Sequence, residues 1–221
     1  PVYVTLDCAI QEEKLEGSLK QPDLSHHKTA PPVAANPDAL AAAAEALIGA
    51  AKPLVVGGRF GIRPEVTAPL VELVELTGAG YQDDLAQVAF PTAHDQNLSG
   101  DRAIKDESDV VLAIDCRDVA SMLDNYTGEK TEVGSGSGLA RTVIDLSLND
   151  MAQSSWTYYD GAQPPVDVQI SAEPMFGLTQ LVEVVRERLA SDEGAQARIA
   201  ERKGELATRH AELIAHQLER A

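Results

Sequence analysis

The sequence predicts an α/β fold, a parallel sheet with helices on both faces, and three observations carry that prediction. Lys52-Pro-Leu-Val-Val-Gly-Gly-Arg59 is a short apolar run that follows an alanine-rich helix and ends abruptly in two glycines. Asp109-Val-Val-Leu-Ala-Ile-Asp115 is continuously apolar between two acids, as a strand buried on both faces must be. Strand-like and helix-like segments alternate through the middle of the chain, with connections long enough for the crossovers of βαβ units.

Taken in order, Pro1-Val-Tyr-Val-Thr-Leu-Asp7 alternates and is β-branched, so it reads as a strand. No hairpin partner follows, and residues 1–15 are expected to be the severed end of a preceding domain. Residues 16–36 are polar, with Pro22, Pro31 and Pro32 around His26-His27-Lys28, which is linker chemistry. Asn36-Pro37-Asp38 then starts a helix: Asn caps, Pro fits the first helical position, and Asp meets the positive end of the helix dipole. Leu40, Ala44, Leu47 and Ile48 share its inner face.

After the strand Leu54–Val56, Arg63-Pro64-Glu65 starts a second helix with Leu70, Leu73, Val74 and Thr77 inward and an irregular first turn at Pro69. Gly78-Ala-Gly80 ends it. A short strand near Tyr81, a polar loop from Phe90 to Gly100 and the strand of residues 109–115 follow. A loop holding Gly134-Ser-Gly-Ser-Gly138 leads to strands Thr142–Leu146 and Val166–Ile170, and then to a helix with Leu178, Leu181, Val185 and Leu189 inward. Residues 37–190 therefore make one Rossmann-like three-layer domain. Residues 191–221 turn highly charged; Ile199, Leu206 and Leu213 recur every seventh residue, giving a helix with a narrow apolar seam. It reads either as a solvated connector to a further domain or as a coiled-coil dimer seam.

Composition narrows the function classes. The 221 residues carry 35 acids against 18 Lys and Arg, a formal charge of -17, so the surface repels phosphate backbones and nucleic acid is excluded as a partner. No apolar run approaches the roughly 20 residues that a membrane span needs. Cys8 and Cys116 belong to no C-x-x-C or Cys/His spacing and are expected to be two buried free thiols, consistent with a cytoplasmic protein.

Gly57, Gly58, Arg59 and Gly61 are the candidate binding residues. At the carboxyl end of a central strand, glycines of positive φ would present bare amides to a diphosphate, and a guanidinium would meet its charge. The plain alternative is a tight strand-to-helix turn, since Gly-Gly-x-x-Gly is not the dinucleotide fingerprint. His94 sits in a loop, where it either contacts a ligand or packs the loop. His26 and His27 lack partners at metal-ligand spacing, and His210 and His216 are expected to be solvated. No Ser/His/Asp or Cys/His constellation is present, so no catalytic residue and no metal site are assigned.

Several motifs together carry a family resemblance. Residues 1–7 resemble a Gly-Pro-Val-x-hydrophobic strand, and Lys52–Gly58 an Arg/Lys-Pro-hydrophobic-Gly-Gly segment. Phe90-Pro-Thr-Ala-His94, running on to Gly100, resembles a Phe-Pro-x-x-His-Pro-x-x-x-Gly loop with Asp95 where Pro is usual; residues 109–115 resemble the Ala/Ser-Asp-hydrophobic strand that follows it. Their order and spacing are similar to the central domain of thiamine diphosphate-dependent enzymes of the acetolactate synthase and 2-oxo acid decarboxylase type.

The resemblance implies a sheet of about six parallel strands between two coenzyme-binding domains, the first of them the pyrimidine-binding domain that residues 1–15 would close. It implies a homo-oligomeric parent that uses thiamine diphosphate and Mg on 2-oxo acids, and a central crevice that holds FAD or an adenine nucleotide in some members and nothing in others. Arg117 resembles the Arg that flavin-binding members carry near the cofactor in Gly-x-Arg-Phe-Asp-Asp, but here Asp115 replaces the glycine and no Phe follows. By the same analogy Asp145 and Asn149 meet an adenine or ribose, or else cap the next turn. The Gly-Asp-Gly that grips coenzyme and metal is absent from the sequence, so the chain is expected to be inactive alone. A free-standing FAD, NAD or ADP module of similar topology is the alternative.

Overall fold

The structure, a computed structural model, describes residues 3–14, 17–18, 21–84, 88–123, 141–149 and 166–219. Pro1–Pro31 and Pro32–Ala221 form two compact units.

In the first unit Tyr3 to Asp7 form no strand, and Tyr3, Val4 and Leu6 are exposed. Alternation predicted one, but an isolated strand leaves its backbone groups unpaired. Asp7 instead accepts the amide of Ala9 at 2.8 Å and starts α1, Cys8–Glu12. Cys8 is consequently exposed, and only Cys116 is the buried thiol expected of both.

The second unit begins with α2, Pro37–Gly49, where Asn36 Oδ1 accepts the amide of Asp38 at 2.8 Å, as its sequence predicts. β1, Pro53–Gly57, follows. Residues Pro64–Val66 form a 3₁₀ turn rather than the helix start expected there, and α3 runs over Thr67–Thr77. Pro69 thereby falls in the first turn, where its missing N–H forfeits no intrahelical bond. Then come β2, Gly80–Asp83; α4, Ile104–Glu107; β3, Val110–Ile114; α5, Val119–Leu123; β4, Thr142–Ser147; β5, Val168–Ser171; α6, Pro174–Leu189; and α7, Glu193–Glu219. The glycine-rich loop at residues 134–138 lies outside the described residues.

The strands pair in parallel in the order β2-β1-β3-β4-β5. Side chains alternate between two layers, as the two-residue period of a strand requires. Val55, Leu112, Ile114, Ile144, Leu146 and Ile170 pack under α2, α3 and α6. Leu54, Val56, Val111, Ala113 and Val143 face the other way, with Ile104, Val119 and Met122. Each buried Val, Leu, Ile or Met among them contributes about 1.5–3 kcal/mol, so the sheet is the stable element on which the loops are mounted. The described sheet has five strands where the resemblance implied about six. Beyond β2, Tyr81 forms a single parallel bridge with Asn97: its amide donates to Gln96 O at 2.9 Å and its carbonyl accepts from Leu98 at 2.8 Å. The Phe90–Gly100 loop thus occupies the sheet's edge.

α7 is packed, not solvated. Ile199 is buried, and Leu206 and Leu213 lie against the second layer, so the seven-residue seam faces its own domain. His210, expected to be solvated, is buried and donates from Nδ1 to Asn97 O at 2.6 Å. Among the described residues no helix is long and apolar enough to cross a membrane.

Candidate functional site

Strand order fixes where a ligand crevice belongs. After β1 the chain passes to α3 in one layer and to β2; after β3 it passes to α5 in the other layer. Loops that leave adjacent parallel strands in opposite directions open a crevice at the carboxyl ends of those strands, here between Gly57–Arg59 and Asp115–Asp118.

Among the described residues, backbone bonds bridge the base of this crevice. The amide of Gly58 donates to Ile114 O at 2.8 Å and that of Arg59 to Asp115 O at 3.0 Å, extending the β1–β3 ladder past the strand ends. The amide of Gly61 turns back to Gly58 O. A Cβ on Gly58 would stand 2.2 Å from Asp115 O and 2.7 Å from Cys116 Cα, both backbone atoms. A Cβ on Gly57 would stand 2.1 Å from Tyr81 Oη. None of these three glycines has positive φ; the left-handed residue of the site is Asp115, at φ 51°. Gly57 and Gly58 are therefore needed for close approach of neighbouring groups, not for the backbone conformation the sequence predicted.

Above this contact lies a polar network. Arg59 Nη2 donates to Asp115 Oδ1 at 2.9 Å and to Asn149 Oδ1. Asn149 Nδ2 in turn donates to Cys116 O at 2.7 Å, and its amide to Ser147 Oγ at 3.2 Å. Ser147 Oγ donates to Asp145 Oδ2 at 2.8 Å, which also receives Gln169 Nε2 at 3.1 Å. Beside it, Arg63 Nη1 reaches Glu173 Oε1 at 2.9 Å, while Glu173 Oε2 caps α6 through the amide of Phe176. Burial raises the Asp115 carboxyl above its usual range despite the opposing pull of the Arg59 guanidinium. Burial likewise pushes the Cys116 thiol well up, so it stays neutral and is no nucleophile.

The predicted site residues thus separate into three places. Gly57, Gly58, Arg59 and Gly61 lie at the switch point, and Asp145 joins Arg59 through Ser147 and Asn149. Arg117 is exposed just beyond β3. His94 lies at the far edge, in the loop that borders β2. There Phe90 stacks on Tyr81 at 4.4 Å between ring centroids and meets the His94 ring edge-on at 4.8 Å. His94 Nδ1 accepts the amide of Gln96 at 3.1 Å, which leaves the proton on Nε2, 3.3 Å from Glu75 Oε1. With Glu75, Asp95, Gln96 and Lys203 it lines a shallow groove of about 380 Å³. Both ring nitrogens are engaged in holding the loop.

Sequence alone missed the pairing of Arg63 with Glu173, which are 110 residues apart, and that of Arg59 with Asn149, 90 apart. Only the proximity of Asp115 to a strand end was a usable signal.

The groups that the resemblance implies are not matched by these residues. A diphosphate needs free amides and an uncompensated cation; the amides of Gly58, Arg59 and Gly61 are bonded within the chain, and Arg59 faces a carboxylate. For thiamine diphosphate and Mg the Gly-Asp-Gly grip is missing, and among the described residues no group of His, Cys, Asp and Glu is placed to hold a metal.

No protein-family model matches the chain, and no curated protein matches it in sequence. Solved structures do match its fold. One is a Mycobacterium smegmatis protein assigned as a thiamin diphosphate-dependent enzyme, with TM-score 0.54 at 17% identity, over 72% of this chain and 29% of that one. Another is benzoylformate decarboxylase from Polynucleobacter necessarius, with TM-score 0.52 at 11% identity, over 77% of this chain and 31% of that one. The chain therefore spans about a third or less of each, and what it shares with them is the α/β architecture of one part.

Proposed function

We propose that this chain is the central domain of a larger thiamine diphosphate-dependent enzyme of the acetolactate synthase or 2-oxo acid decarboxylase type. In this reading residues 37–190 are the scaffold between two coenzyme-binding domains. Residues 1–15 end the first of these, 16–36 link it to the scaffold, and 191–221 lead onward. One observation carries the reading: most of the chain superposes on such enzymes while covering only 29% and 31% of their length. Thiamine diphosphate, held with Mg by the other domains, supplies the carbanion chemistry of decarboxylation or carboligation. This chain's residues supply a rigid sheet and the surfaces against which those domains rest.

A free-standing FAD, NAD or ADP module is the rival reading. It needs free amides and an unpaired cation at the crevice, and the bonded amides of Gly58 and Arg59 and the Arg59–Asp115 pair speak against it.

Pyruvate turnover by the longer polypeptide, with and without thiamine diphosphate and Mg, tests the proposal. Coenzyme-dependent release of carbon dioxide or formation of a carboligation product is expected, with other 2-oxo acids assayed in parallel. Absence of coenzyme-dependent turnover on the whole panel, or turnover by the 221-residue chain alone, would overturn it.

A further inference from the structure

The switch point has a chemical logic of its own. Two cations, Arg59 and Arg63, project from the loop after β1, and each meets a carboxylate of the same chain: Asp115 at 2.9 Å and Glu173 at 2.9 Å. The carboxylates come from the loop after β3 and from the cap of α6, so both cations are paired within the chain. Asp115 is held in place from both sides, its amide donating to Leu146 O at 2.9 Å and its carbonyl accepting from Arg59 at 3.0 Å. Its left-handed backbone, at φ 51°, is one that Asp tolerates and that Gly adopts freely. In that pose its Oδ1 receives the guanidinium N–H that a phosphate oxygen would otherwise accept.

We propose that the Asp115 carboxylate is a built-in counter-anion which occupies the anion position at Arg59 and bars diphosphate-bearing ligands from the β1–β3 crevice. Replacing it with glycine turns the same residues into a diphosphate site. Removal of the carboxylate leaves Arg59 without its charge partner, beside Arg63 and the polar Asn149, at the sheet edge where anions bind in open α/β folds. Glycine at position 115 also suits the local backbone, so the replacement carries no steric cost. The inference deepens the scaffold reading of this site, yet it concerns anion binding alone and is tested without thiamine chemistry.

The experiment is calorimetric titration of inorganic pyrophosphate, in low salt, into the 221-residue chain and three variants. The unaltered chain is expected to show no saturable binding up to millimolar pyrophosphate. Asp115→Gly should bind at least tenfold more tightly, and adding Arg59→Gln to that variant should abolish the gain. Asp115→Asn removes the charge while keeping side-chain shape; it should also gain affinity, and carries the test should the glycine variant not fold. Saturable binding by the unaltered chain as tight as by a folded Asp115 variant would overturn the proposal, as would a folded variant with no gain or a gain that survives loss of Arg59. Failure here leaves the coenzyme test of the whole enzyme untouched, and the reverse is equally true.

Discussion

Arg202 of α7 joins two helix ends at once: Nη1 donates to Ala50 O at the close of α2, and Nη2 to Thr77 O at the close of α3. The last carbonyls of a helix lack intrahelical partners and carry its negative pole, so one buried cation satisfies both ends together. Burial, aided by the like charge of Arg198, lowers the guanidinium's pKa, yet the group remains charged. Arg202→Met should therefore destabilise the chain by roughly 2–4 kcal/mol, since two charge-assisted bonds are lost and two carbonyls left unpaired. Urea unfolding measures it, and a loss below about 0.5 kcal/mol would show that α7 is held by its apolar seam alone.

Acid should weaken the α7 anchor. Burial alone would raise Asp101, but Arg209 at 2.5 Å and the Ala103 amide outweigh it; Glu107 is lowered chiefly by Arg209, then Lys52. Both carboxyls are thus depressed below their free values of 3.8 and 4.5. A depressed folded value contributes stability that is present above the unfolded value and lost as pH falls through the folded one. Arg209→Met should lower stability at neutral pH and flatten its decline below about pH 4.5. Denaturation midpoints across pH compare the two, and parallel acid limbs would contradict the assignment.

Asp115 should give the opposite sign. Its folded value is raised, by burial first, so its contribution is fully present below the free value of 3.8 and is lost as pH rises through the folded value. Asp115→Asn should then match the unaltered chain at low pH and exceed it in stability near neutrality. A less stable asparagine variant at pH 7 would mean that the Arg59 ion pair outweighs desolvation.

Glycine substitutions separate crowded sites from open ones. Gly58→Ala drives a methyl into the backbone of Asp115 and Cys116 and should cost about 3 kcal/mol or more. Gly204, in the interior of α7 with nothing within 4 Å of an added Cβ, behaves otherwise. Gly204→Ala should stabilise by about 0.5–1 kcal/mol through helix propensity. Thermal melts of the two variants, shifted in opposite directions, would bear this out.

What the sequence made legible was what one-dimensional pattern encodes. β1 and β3 announce themselves because strands buried on both faces are mostly continuous apolar runs, and α2 because Asn36 and Pro37 are local cap chemistry. Gly57 and Gly58 stand at the end of β1, but the reason they are glycine lies in Tyr81 and Asp115, which no local pattern reveals. α7 was misjudged because its charged surface hides a few inward residues whose partners, Ala50, Thr77 and Asn97, are more than a hundred positions away. Tyr3 to Asp7 shows the converse failure: strand alternation without a neighbouring strand gives no strand.

The proposal that this chain is the middle domain of a thiamine diphosphate enzyme, without the grip on the coenzyme, is tested most directly by titration of thiamine diphosphate with Mg. Saturable, Mg-dependent binding by the longer polypeptide and none by the 221-residue chain is the predicted result. Saturable binding by the 221-residue chain alone, or none by the longer polypeptide, would contradict it.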